Sequence, residues 1–279
     1  MATNVLGLHT FTASEPWDFN IVNDNSLKID NGVKTAMQGR AAHNLLDNSD
    51  WRIKDKIVNQ RGKTSYSGGG YTIDRWFLYD PSGDGSLVIN NGYITITGGT
   101  GAVSLSCRFQ KGIIDKNKTY TTVICDNQGK INPCSLFFYD SFDSFEFAAA
   151  AGETKNIAWA ALYEGAYDAS TLPAYQPKGY AAELAECQRY YYAVENELFF
   201  AAWADNNGCL DYTVLLPQTM RAIPTITFDK LQYIDESGYV SFTNSPYYTG
   251  RDRVAIRKLG LTLNKAYGLV MKFSASADL

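Results

Sequence analysis

The sequence predicts an all-β protein: two β-sandwich or jelly-roll domains in tandem, joined by a short helix and preceded by a short helical leader. Three observations carry that reading. The composition, with 19 Tyr, 14 Phe and 23 Gly, combines residues that fit a pleated surface with residues that fit tight turns. Runs of period-two alternation recur along most of the chain, separated by Gly, Asn and Asp clusters. The clearest helical period, Lys178 to Tyr192, falls between two such series and divides them. At 279 residues the chain has room for two domains or one large one. The changes of pattern place the divisions at 1–43, 44–177 and 178–279.

Charge and cysteine content narrow the function classes. A net charge of −4 offers no basic footprint for a phosphate backbone, so nucleic acid is not an expected partner. Cys107, Cys125, Cys134, Cys187 and Cys209 are odd in number and contain no C-x-x-C pair, which argues against a zinc site and a disulfide framework; they read as small core residues. The N-terminus has neither a basic nor an apolar signal region, and no apolar run approaches the ~20 residues of a membrane-spanning helix. Synthesis in a cytosol without membrane insertion is expected, with exit by lysis or within a larger particle.

In the leader, Trp17, Phe19 and Ile21 alternate in a polar segment broken by Pro16. A helix then starts at Asn25 or Ser26 as cap, gathers Leu27, Ile29, Val33, Ala36 and Met37 near one stripe, and stops at Gly39. So short a helix is unstable alone. It either packs on its own domain or associates with other copies.

The first series of strands opens after Asn44. Tyr71 to Tyr79 alternates as one strand with aromatic residues on both faces, which leaves Asp74 and Arg75 in need of partners, with Asn59, Gln60 and Arg61 as candidates. Ser86–Ile89 and Tyr93–Thr97 flank Asn90-Asn91-Gly92, a strong hairpin signal because Asn and Gly accept positive φ. Val103 to Phe109 alternates as a strand with one wet face, and Tyr120–Cys125, Cys134–Tyr139, Phe142–Phe147 and Ile157–Tyr163 continue the series. Beyond the helix, where Tyr180, Leu184, Cys187 and Tyr191 form the apolar stripe and Glu183 and Glu186 the opposite side, the strands are Leu198–Trp203, Leu210–Leu215, Thr225–Phe228, Tyr239–Phe242, Arg253–Arg257 and Tyr267–Phe273.

Several of these segments resemble phage and prophage tail-fibre proteins. Trp17 to Asp30 is similar to a short "N-x-N-x-x-x-I-D" segment near their start. Asn44-Leu45-Leu46-Asp47-Asn48, Asn59-Gln60-Arg61-Gly62 and Tyr71-Thr72-Ile73-Asp74-Arg75-Trp76, in that order, look like the opening of their carbohydrate-binding-module-like domain. Ala161-Leu162-Tyr163-Glu164-Gly165 with Tyr175-Gln176-Pro177 resembles its "K-L-E-x-G … P-x-x-Y" ending, from which Ala161 and Tyr163 depart. The strongest match is Glu183-Leu184-Ala185-Glu186-Cys187-Gln188-Arg189-Tyr190-Tyr191, similar to the "E-L-x-x-C-Q-R-Y-Y" start of a tail-fibre C-terminal domain. Leu216 to Thr225 looks like that domain's "F-P-x-x-M-R-x-x-P-T" strand, and Phe273 to Leu279 like its acidic terminus. The resemblance implies a homotrimer at the distal end of a fibre in a virion. Its leader would attach to tail or baseplate proteins, and its tip loops would adsorb to a bacterial surface polysaccharide.

Saccharides are held by flat rings against pyranose faces with polar groups around them. Trp51, Tyr66, Tyr71, Trp76, Tyr79, Trp159 and Tyr163 are the candidate rings of the first sandwich, with Tyr66 favoured because it lies in the glycine-rich stretch 64–70. In the second, the loop from Asn244 to Gly250 offers Asn244, Tyr247 and Tyr248, either to a glycan or to a neighbouring subunit. Only His9 and His43 are present, so no His-based catalytic arrangement can be assembled in the sandwiches. Carboxylate pairs among Asp80, Asp84, Asp140, Asp143 and Glu146 leave a polysaccharide depolymerase open as an alternative, beside a purely structural fibre segment. No cofactor is expected beyond a possible structural calcium on Asp47 or Asp50.

Overall fold

The computed structural model describes residues 25, 26, 28, 29, 43–242, 247–263 and 265–279. Of the leader, Asn25, Ser26, Lys28 and Ile29 are helical, where the helix is expected to begin. The other leader expectations, and Asn244, lie outside the described residues.

The fold is all-β, as the alternation predicts. Its first half contains β1 (Ser65–Ser67), β2 (Gly70–Tyr71), β3 (Trp76–Tyr79), β4 (Ser86–Ile89), β5 (Ile94–Thr97), β6 (Val103–Gln110), β7 (Tyr120–Asp126), β8 (Ile131–Pro133), β9 (Ser135–Phe138), β10 (Phe142–Ala149) and β11 (Thr154–Glu164). They form a six-stranded sheet in the order β1-β4-β5-β11-β7-β8 and a five-stranded sheet in the order β2-β3-β6-β10-β9, with every pairing antiparallel. Alternate residues of both sheets, among them Leu78, Leu87, Ile96, Leu105, Phe145 and Leu162, point inward and form one core around Trp51 and Trp76. The two indoles meet edge to face with centroids 5.0 Å apart.

The expected Asn-Gly hairpin is present between β4 and β5, with Asn90 donating to Tyr93 O at 2.9 Å and Gly92 at φ 98. A different glycine sets how the two sheets close at one end. A Cβ on Gly98 would lie 2.0 Å from Ala150 O, because the β5–β6 and β10–β11 connections touch there. Gly98→Ala is therefore expected to cost about 1–3 kcal/mol of unfolding free energy, read by urea denaturation. A change under about 0.5 kcal/mol would mean the connections can separate freely.

The second half begins with α1 (Tyr180–Gln188) and contains β12 (Tyr191–Ala193), β13 (Leu198–Trp203), β14 (Leu210–Leu215), β15 (Thr225–Asp235), β16 (Gly238–Ser241), β17 (Tyr247–Thr249), β18 (Arg253–Lys258) and β19 (Ala266–Ser276). Long β19 pairs with β12, β13 and β15 in one sheet, and β14-β18-β17 forms another. Met220, Val254, Ile256, Leu269, Met271 and Phe273 fill the space between them.

Four expectations are corrected. Tyr71–Tyr79 is not one strand: Thr72 N–H donates to Trp76 O and Trp76 N–H to Ile73 O, so the chain reverses between β2 and β3, and Arg75 takes φ 73 in that turn. The glycine-rich stretch is not a free loop, because Ser65–Ser67 pairs with β4 and turns Tyr66 inward. Leu216–Pro224 is irregular rather than a strand; it is held by Met220 N–H on Arg251 O and Arg221 N–H on Arg189 O. Finally, Glu183 is buried in the face of α1 that meets the first half, although its helical position marks it as polar and outward.

Candidate functional site

The three opening motifs of the first half converge on Asn48. Its Nδ2 donates to Val58 O at 2.7 Å and to Asp74 O at 2.9 Å, and its Oδ1 accepts from Val58 N–H at 2.9 Å. Its carbonyl accepts from the indoles of Trp76 (2.9 Å) and Trp51 (3.1 Å). Its own N–H donates to Glu183 Oε2 of α1 at 2.6 Å, which explains why that carboxylate is buried.

This junction continues into a seam between the halves. Arg75, 2% exposed, lies 3.5 Å above the Tyr190 ring, donates to Asp47 Oδ2 at 3.2 Å and to Arg108 O at 2.9 Å. Lys178 also donates to Asp47, at 2.7 Å; against the penalty of burial, the two cations hold Asp47 below its ordinary pKa. Arg61 stacks on Tyr191 at 3.8 Å and bridges Asp74 and Asp278. Gln60 Nε2 donates to Asp74 Oδ2 and to Tyr191 O, and the Tyr71 hydroxyl donates to Leu279 O at 2.5 Å. The motif residues of both halves thus hold the halves together, with Asp74 partnered by Gln60 and Arg61 as the sequence suggested.

An open, ligand-sized surface lies elsewhere, on the outer face of the five-stranded sheet. Along β3, β6 and β10 the outward positions are Phe77 and Tyr79, then Ser104, Ser106 and Arg108, then Phe142, Ser144, Glu146 and Ala148. The registers Tyr79↔Ser104↔Ala148 and Phe77↔Ser106↔Glu146 set short side chains between longer ones. The result is a trough of ≈ 450 Å³ lined by Tyr79, Ser104, Ser106, Arg108, Tyr139, Phe142 and Glu146. Tyr79 is 56% exposed and Tyr139 41% exposed.

Its polar groups are held in place. The Tyr139 hydroxyl donates to Glu146 Oε1 at 3.1 Å; burial and then the adjacent carboxylate raise the phenol's pKa, so it stays a neutral donor. Arg108 is clamped between Phe77 (3.6 Å) and Phe142 (4.7 Å), with Nη1 donating to Leu279 O. Rings at the walls, the Ser104 hydroxyl on the floor and one charge of each sign can stack a pyranose and satisfy its hydroxyls, while Ser106 beneath is 2% exposed and donates its hydroxyl to Phe77 O. A second cleft of ≈ 480 Å³ at the sheet edges shares Glu146 and exposes Asn127, Gln128, Asn132 and Asn156, but its one lining ring, Phe147, is buried.

Of the candidate rings, only Tyr79 enters the trough. Trp51 is fully buried and spends its N–H on Asn48, so neither face of the indole can meet a sugar. Tyr66 is buried on β1 and donates to Asn59 Oδ1 at 2.5 Å; burial pushes its phenol up to about 12. Trp76 is core, Tyr71 belongs to the seam, and Trp159 and Tyr163 are covered by the connector, Trp159 stacking on Tyr175 at 4.4 Å. Tyr247 and Tyr248 lie on β17, with Tyr248 62% exposed, on the other half of the molecule from the trough.

Of the carboxylates proposed for hydrolysis, Glu146 lines the trough, and Asp80, Asp84 and Asp143 have partners elsewhere. Asp80 accepts from Gly83 and Gly85 N–H, Asp84 from Thr100 N–H, and Asp143 points inward from β10 toward Lys111 while Glu146 points outward. Asp47 is taken by Arg75 and Lys178, and Asp50 by Arg52, so both carboxylates considered for calcium already face cations. Missed in the sequence were Tyr139, Phe142 and Arg108 as trough residues. The usable signal was the outward parity of the Ser104-x-Ser106-x-Arg108 run.

The fold and site together define an all-β, two-sandwich protein with an aromatic-walled trough on one sheet. No family model matches the chain, and no curated protein sequence matches it. Among solved structures, the wild-type discoidin II from Dictyostelium discoideum is similar over 85% of this chain and 93% of its own, at 12% identity and a TM-score of 0.25. A likeness that slight says nothing about function.

Proposed function

We propose that this protein is a non-catalytic adhesin of a phage or phage-tail-like particle, which binds a bacterial surface polysaccharide in the outer trough of its first half. The observation that carries this reading is the pairing of exposed Tyr79 and Tyr139 across a serine floor, with Arg108 and Glu146 to orient hydroxyls. The tail-fibre setting is supported by the motif resemblance, whose residues build the seam. In that setting the chain is a homotrimer in a fibre tip, attached through its leader to tail or baseplate proteins and released by lysis. Repeated copies on a particle would raise weak single-site affinity through effective concentration.

Self-association is supported by the outer face of the β19 sheet. Phe199 and Trp203 project from β13 and Tyr239 from β16, and Trp203 is 71% exposed. Rings of that size left in water are a usual mark of an interface. Light scattering of the full chain is expected to give the mass of three copies, and pull-down with isolated host cell-wall polysaccharide is expected to retain it. A monomer that binds would be a free-standing binding module, and a trimer that binds no wall fraction a structural fibre segment. Release of reducing ends would make the protein a depolymerase.

A further inference from the structure

Two carboxylates from opposite halves meet on one guanidinium. Asp74, in the turn between β2 and β3, accepts from Arg61 Nη1 at 3.1 Å and Gln60 Nε2 at 2.6 Å. Asp278, just beyond β19, accepts from Arg61 Nη2 and from Ser276 Oγ at 3.1 Å. Its other oxygen, Oδ1, is buried with no hydrogen-bond partner.

The remaining cations of the seam are committed elsewhere. Arg75 and Lys178 bind Asp47, Arg108 reaches Leu279 O, and Arg221 donates to the main-chain oxygens of Ala277 and Asp278. The other titratable groups around the pair are Tyr66 from β1, Tyr71 from β2, Cys187 and Glu183 from α1, and Tyr190 and Tyr191 at the start of β12. Among the described residues, Arg61 alone lies within ion-pair distance of Asp74 or Asp278. One guanidinium balances one carboxylate, and a buried carboxylate oxygen without a donor is far costlier charged than protonated.

We propose that Asp74 and Asp278 share one proton across the seam, so that the two halves dock more tightly below neutral pH than above it. Both acids are displaced in the same direction, chiefly by burial: Asp74 is pushed up to about 7, and Asp278 is also raised. The docked state therefore holds a proton that the separated halves would release. Its contribution is fully present below the ordinary carboxylate range and is lost as pH rises through about 7. Between the ordinary carboxylate range and that midpoint docking weakens by up to about tenfold per pH unit for one proton, and above the midpoint it levels off.

The test uses the full chain. Carbon-detected NMR of aspartate carboxyls is expected to show an aspartate signal with a midpoint near 7 that disappears in Asp74→Asn or Asp278→Asn. Hydrogen exchange of the β12 amides, corrected for intrinsic rates, is expected to lose up to roughly tenfold protection per pH unit between about pH 5 and the midpoint and to level off above it, and Asp278→Asn to flatten that slope. Titration of every aspartate below about pH 5 would overturn the proposal. So would an unchanged slope in Asp278→Asn. If neither variant folds, the wild-type titration alone decides between the two.

Discussion

Arg75→Ala is expected to lower the unfolding free energy by about 3–5 kcal/mol, because it removes a buried cation on which one main-chain carbonyl and one carboxylate depend. The side chain fills the space under Tyr190 and donates to Asp47 and to Arg108 O. Without it Asp47 keeps only Lys178, and a main-chain oxygen in the seam loses its donor. The backbone adds nothing to this cost, since alanine at φ 73 is strained much as arginine is. Arg52→Ala is the control. Its pair with Asp50 is exposed, so the change should cost less than about 1 kcal/mol. Urea denaturation of both variants decides: a loss of under about 1 kcal/mol for Arg75→Ala would mean that the seam tolerates water in place of the guanidinium.

The second large effect is on binding. Tyr79→Ala combined with Tyr139→Ala is expected to weaken retention on cell-wall polysaccharide by roughly 10- to 100-fold, the equivalent of about 1.4–2.7 kcal/mol. Both rings are exposed, so the fold should survive their loss. Ser104→Trp supplies an independent blockade, since it raises a bulky ring from the trough floor between them. Titration against the isolated polysaccharide gives the numbers. If both trough variants bind as the parent does while Tyr248→Ala loses binding, the site belongs to the tip of the second half.

These two experiments separate the parts of the molecule that the sequence exposes to very different degrees. The motifs that resemble tail-fibre proteins are conspicuous as strings, yet they are spent on structure: Asn48, Gln60, Arg61, Asp74 and Arg75 on one side of the seam, Glu183, Tyr190, Tyr191 and Asp278 on the other. The trough residues belong to ordinary alternating strands. Ser104, Arg108 and Phe142 carry no local sign of function, Tyr79 and Glu146 stand out no more than the other candidate rings and carboxylates, and together they become a site only because three strands pair in one register.

The sequence by itself determined the all-β class, the Asn-Gly hairpin, most strands and the dividing helix, because these depend on side-chain periodicity and on which residues accept positive φ. Only the tertiary structure decided which rings are exposed. Trp51 and Tyr79 are both candidate sugar platforms in the sequence, Trp51 the preferred one, and burial against Trp76 disqualifies the first while an outward strand position frees the second. It also decided that Glu183, on the apparent polar side of a helix, would be buried, because an unpaired N–H at Asn48 lay within reach. Periodicity reports a residue's direction relative to its own element; partners distant in the chain decide what covers it.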